Sequence, residues 1–242
     1  MKLRMLLLTP VLALFPLAAL AVPVLQLDIA GGSYDPVTET IVTSSDSFTV
    51  YAYATPSGNQ TSASLLGKTY YLSIALTPET GPAAASLGSF TVNGQTYTAT
   101  SDMTFGIPPI EANGTAAHDG GDLGGHDVFD TFFVEVPFTL TAANTSGEYN
   151  TQDDAGQGPI AGSDMYYVAF NVDKSGLSSD VQLHFDLYTK APGRTAPDLD
   201  SDLFAPFSHD AGTIPGHPVP EPTAALVFAM GLFATRYAGR RS

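Results

Sequence analysis

From Val181 to Tyr188 apolar and polar side chains alternate without a break: Val181, Leu183, Phe185 and Leu187 on one parity, Gln182, His184, Asp186 and Tyr188 on the other. A repeat of two is that of an extended strand, which turns successive side chains to opposite faces. It does not fit one side of a helix, whose repeat is 3.6. Similar patterns bounded by Gly, Pro, Asn and Asp predict strands over 24–29, 47–54, 69–77, 89–92, 95–99, 128–140, 165–172 and 181–189. Between 89–92 and 95–99 stands Asn93-Gly94, the pair that a two-residue type I′ hairpin turn requires. No amphipathic helical pattern longer than two turns occurs between the terminal segments. The expected architecture is therefore all-β, an antiparallel β-sandwich of jelly-roll or immunoglobulin-like kind. The Gly/Asp/Pro-rich stretches 106–126 and 148–164 read as loops at a sandwich end.

Both ends of the chain read differently from the middle. Lys2 and Arg4 precede an apolar stretch that closes on Ala19-Leu20-Ala21, the layout of a secretory signal peptide with cleavage after Ala21. Residues 22–213 form the expected β domain and 214–218 a Pro/Gly linker. Then come Val219-Pro220-Glu221-Pro222, an apolar run, and Arg236, Arg240 and Arg241.

This order of motif, apolar segment and terminal arginines resembles the PEP-CTERM sorting signal of Gram-negative bacteria. The resemblance implies export by the Sec machinery and arrest of a single hydrophobic sorting helix in the inner membrane. It further implies cleavage near Pro220-Glu221-Pro222 by an exosortase-type transpeptidase and delivery to the cell surface or extracellular matrix. As a helix, 223–235 would span about 20 Å of a hydrocarbon layer about 30 Å thick. Snorkelling of Arg236 and local thinning of the bilayer would make up the difference, with the terminal arginines held on the cytoplasmic side.

The chain carries a net charge of −15, and five of its nine basic residues lie in the two terminal segments. The β domain sets 23 acidic side chains against Lys68, Lys174, Lys190 and Arg194. Such a surface repels phosphate backbones, which excludes nucleic acid as a partner and favours cations. With no cysteine, disulfides and thiolate metal sites are excluded as well.

Four stretches of the body resemble the choice-of-anchor N group of surface proteins: 25–35 (LQLDIAGGSYD), 127–133 (DVFDTFF), 184–188 (HFDLY) and 204–211 (FAPFSHDA). That resemblance implies a surface cargo domain that is joined to different anchoring tails, with no activity attached to it.

Three kinds of chemistry are open to such a domain. Asp198, Asp200 and Asp202 stand at alternate positions and could converge oxygens on Ca²⁺. An EF-hand is excluded, because its sixth and twelfth positions hold Leu203 and His209 in place of Gly and Glu, and a solvated acidic loop is the competing reading. His118-Asp119, His126-Asp127 and His209-Asp210 lack the spacing of a zinc site, and His209 reads as a cap on the closing segment. Asp127, Asp130 and Glu135 could serve glycoside hydrolysis, but no nucleophile elbow, zincin helix or phosphate loop accompanies them. The expectation is a non-enzymatic protein with no resident cofactor beyond calcium. Its predicted role is structural or adhesive, in association with exopolysaccharide. The alternative is a carbohydrate-binding module using Tyr70, Tyr71, Tyr166, Tyr167 and Tyr188. A secreted glycoside hydrolase stands third.

Overall fold

A computed structural model describes residues 22–82, 85–123 and 129–215. Two sheets face one another across a shared apolar core. The first contains β1 (Leu25–Ile29), β4 (Ser47–Ala54), β11 (Met165–Asp173), β6 (Ser89–Val92) and β7 (Gln95–Thr98) in that spatial order, with β10 (Thr145–Ser146) beside β11. The second runs β2 (Ser33–Asp35), β3 (Thr40–Thr43), β14 (Ala211–Thr213), β12 (Gln182–Pro192), β5 (Thr69–Thr77), β9 (Thr131–Thr139) and β8 (Thr104–Gly106), with β13 (Leu199–Phe204) also on β12. The ladders are antiparallel except β14 against β3, which is parallel. A one-turn helix, α1 (Ser62–Leu66), starts on a Thr61 capping box.

Alternation explains the core directly. Leu183, Phe185 and Leu187 of β12 and Leu72, Ile74 and Leu76 of β5 meet Leu25, Leu27 and Ile29 of β1 and Val50 and Ala52 of β4. Across the gap Phe48 packs edge-on against Phe185 at 6.0 Å, and Phe138 against Phe170 at 5.1 Å. The hairpin forms where Asn93-Gly94 predicts it, both residues at positive φ (50° and 81°), with Val92 opposite Gln95.

Six strands carry no alternation of their own: β2, β3, β8, β10, β13 and β14. β13 holds Asp200 and Asp202, a residue type poorly suited to strands, and it is extended because β12 runs on to Pro192 and pairs with it.

The two long loops do not merely close an end of the fold. They lie across the outer faces of the sheets. The 148–164 segment is bound to β1 through Gln26 and Asp28, whose neighbours Leu25, Leu27 and Ile29 face the core. The segment after β8 covers the outer face of β9 and β12, and its Ile107 and Leu123 are buried. Among the described residues no helix is long and apolar enough to cross a membrane. The signal peptide, Ala19 and Ala21, and the sorting tail with its expected helix lie outside those residues.

Candidate functional site

On β12 the parity that faces away from the core is His184, Asp186, Tyr188 and Lys190, and the structure buries Asp186 and Tyr188 and half-buries the other two. Register carries this polar row over three strands, for Asp186 stands opposite Ser73 and Ser73 opposite Glu135. Glu135 is the hub. One carboxylate oxygen accepts from the Tyr188 hydroxyl and from Ile110 N–H, the other from Lys190 Nζ. Lys190 also donates to the Ile110 carbonyl at 2.7 Å and lies 4.4 Å from the centre of the Tyr71 ring. With both oxygens engaged by donors, Glu135 ties the covering loop to the sheet.

At the other end of the row His184 Nε2 lies 3.3 Å from Asp186 Oδ1 and 3.5 Å from Asp210 Oδ2. These three donor atoms are mutually within 4.8 Å, a compact His/Asp/Asp set. Burial alone would lower the imidazole pKa, but Asp186 and Asp210 outweigh it and raise it to about 9. Desolvation raises the Asp210 carboxyl to about 8, against the pull of His184 and with the push of Asp186. The imidazolium is thus the internal counter-ion of this triad.

A second cluster sits in the covering loop. Glu111 N–H bonds to Thr115 O at 2.7 Å and Gly114 N–H to Glu111 O at 2.9 Å, a tight turn that presents the Glu111 side chain inward. Glu111 Oε2 accepts Leu199 N–H at 2.6 Å, and Ala112 N–H bonds to Pro197 O at 3.0 Å, which fastens the loop to the lead-in of β13. One carboxylate oxygen each from Glu111, Asp119 and Asp198 then lie within 4.8 Å of one another. Asp122 Oδ2 accepts Asp119 N–H at 2.7 Å. Burial, together with Asp119 and Glu111, raises the Asp122 carboxyl to about 6, and Glu111 is raised by burial and by Asp198 and Asp119.

Of the residues expected to bind Ca²⁺, Asp198 joins this cluster. Asp200 lies directly against the Gly121 backbone, where a β-carbon would fall 1.5 Å from its Oδ1. Asp202 turns to Lys68 Nζ at 3.6 Å. Glu111 and Asp119 were not in the expected set. They come from a loop some eighty residues earlier, and no local spacing links them to Asp198.

The aromatic candidates are used in packing. Tyr70 and Tyr188 are fully buried, Tyr71 stacks on Tyr188 at 6.1 Å, and Tyr167 packs against Tyr51 and Tyr53. Tyr166 is half-buried against the core. His118 is exposed, as is Asp130, and His126 and Asp127 lie outside the described residues. His209 is buried, with Nε2 2.8 Å from Asn150 Oδ1 and Nδ1 2.8 Å from the Ser208 hydroxyl, and burial lowers its pKa.

Compared with protein-family models, with curated proteins and with solved structures, the chain matches none. What fold and site define together is a two-sheet β domain with a polar, carboxylate-rich layer on the outside of its larger sheet.

Proposed function

We propose that the chain is an exported β-sandwich delivered to the cell surface or extracellular matrix, where it has a structural or adhesive role in association with exopolysaccharide. The observation that supports this reading is that every described strand lies between the two expected addresses. β1 begins at Leu25, after Ala19 and Ala21, and β14 ends at Thr213, before Val219.

The last strand is clamped inside its sheet, between β3 and β12, and the Thr213 hydroxyl accepts Leu183 N–H at 2.9 Å and bonds to Gln182 Oε1 at 3.0 Å. Removing either terminal address would therefore leave every described ladder in place. A cargo cut at both ends needs this property, since cleavage inside a paired strand would expose an open edge.

Mass spectrometry of the protein recovered outside the cell tests the reading. It should begin at Val22 and lack the terminal arginines, and deletion of Pro220-Glu221-Pro222 should leave it in the inner membrane. Surface protein that keeps Met1, or that keeps Arg240-Arg241-Ser242, would overturn it.

A further inference from the structure

We propose that Glu111, Asp119 and Asp198, with Asp122 beside them, form a divalent-cation site that takes Ca²⁺ and locks the covering loop onto the start of β13. The assignment is independent of how the chain is exported.

Convergence of carboxylates is the first observation, since Glu111, Asp119 and Asp198 bring one oxygen each to within 4.8 Å. The second is independent of it. Glu111 is only 5% exposed, and while its Oε2 is satisfied by Leu199 N–H, its Oε1 is buried with no hydrogen-bond partner. Asp122 Oδ1 and Asp198 Oδ1 are likewise buried and unpartnered, each on a carboxylate whose other oxygen accepts a backbone N–H. Burying an acceptor without a hydrogen-bond partner is costly, and more so for a charged group. Two of these oxygens, on Glu111 and Asp198, belong to carboxylates that converge, and they mark a position made for a positive charge.

Among the described residues no ion pair reaches Glu111, Asp119, Asp122 or Asp198. Lys190 is committed to Glu135 and the Ile110 carbonyl, and His118 is exposed on the loop surface. The His184, Asp186 and Asp210 triad also holds unpartnered buried oxygens, but there a ring nitrogen of the chain itself stands 3.3 and 3.5 Å from the two carboxylates.

The donor set selects the ion. The converging donors are all carboxylate oxygens, which suit a hard cation and give thiophilic or imidazole-seeking metals nothing they prefer. The ligands come from two irregular segments, and Ca²⁺ tolerates irregular, high coordination better than Mg²⁺, which demands near-octahedral geometry. Backbone packing holds Asp198 and the loop between Asp119 and Asp122 in place. A β-carbon on Gly193 would lie 2.0 Å from Asp198 Oδ2, and Ser201 N–H and its hydroxyl both bond to Gly121 O at 3.0 and 2.9 Å.

The experiment is calorimetric titration and thermal melting of the full chain after EGTA treatment, with CaCl₂ and MgCl₂ as probes. The expected result is one Ca²⁺ per chain, a melting temperature raised by Ca²⁺ in proportion to the logarithm of its concentration, and weaker binding of Mg²⁺. Glu111→Gln and Asp198→Asn should weaken Ca²⁺ binding about ten-fold or more. Asp119→Asn, at an exposed position where folding is not at stake, should do the same, and Asp202→Asn, on the Lys68 pair, should leave the titration unchanged. No heat and no melting shift with millimolar CaCl₂, a preference for Mg²⁺, or an Asp119→Asn chain that binds like the parent would each overturn the site.

Discussion

Across 121 residues of sequence the hydroxyl of Tyr149 donates to Asp28 Oδ2 at 2.9 Å. The same carboxylate accepts Gly156 N–H at 2.7 Å, Gly158 N–H at 3.0 Å and Ile29 N–H at 2.8 Å, so one buried acid on β1 organises the 148–164 loop. Asp28→Ala would leave the Gly156, Gly158 and Ile29 amides without this acceptor and Tyr149 with only the Tyr53 hydroxyl, and a loss of about 3 kcal/mol is expected in denaturant unfolding. Asp28→Asn, which keeps one acceptor oxygen, should lose less. Hydrogen exchange should speed up at Gly156 and Gly158 in both variants.

Where this loop crosses the β1–β2 turn, Gly156 has φ +83°, and a β-carbon there would lie 2.3 Å from Gly32 O. Gly114 has nearly the same backbone, φ +84°, with open space around it. Gly114→Ala should cost only the left-handed strain, about 1–2 kcal/mol. Gly156→Ala should cost clearly more, because the opposing atom is backbone and cannot swing away. Paired urea titrations of the two variants measure the difference.

The Glu135–Lys190 pair is nearly withdrawn from water, with side chains 6% and 10% exposed. Lys190→Met would strand the carboxylate, at a cost of about 3–5 kcal/mol. The double variant Lys190→Met/Glu135→Met should recover much of this, though the Tyr188 hydroxyl and Ile110 N–H then lose their acceptor. A double-mutant cycle in guanidinium reads the coupling directly.

His184 is raised to about 9 and Asp210 to about 8 in the folded chain, so both bind protons there more tightly than when unfolded. The native state therefore holds more protons than the unfolded one from about pH 4, for Asp210, and about pH 6.5, for His184. Their joint contribution to stability is greatest on the acid side and is lost as pH rises through 8 to 9. The groups facing His184 are Asp186 and Asp210, and Thr40 faces Asp210. Melting temperature should fall by several degrees between pH 6 and pH 9, and Asp210→Asn should flatten that slope. An equal slope in both proteins would contradict the triad.

What the sequence by itself determined is parity and turning. The bounds of β4, β5 and β6, the Asn93-Gly94 reversal, and the inward set Leu183, Phe185 and Leu187 follow from local pattern, because pleat and turn conformation are local properties. What lies over the opposite parity was decided only by the tertiary structure. Alternation marks Gln26, Asp28, Asp186 and Tyr188 as facing away from the core, yet all four are buried, by loops and strands brought from far along the chain. β13 and β14 are strands for the same reason, since each is extended by its partner and not by its own residues. Glu111 meets Asp198 through long-range pairing, and a charge's neighbours across a fold leave no periodic trace in the residues on either side of it.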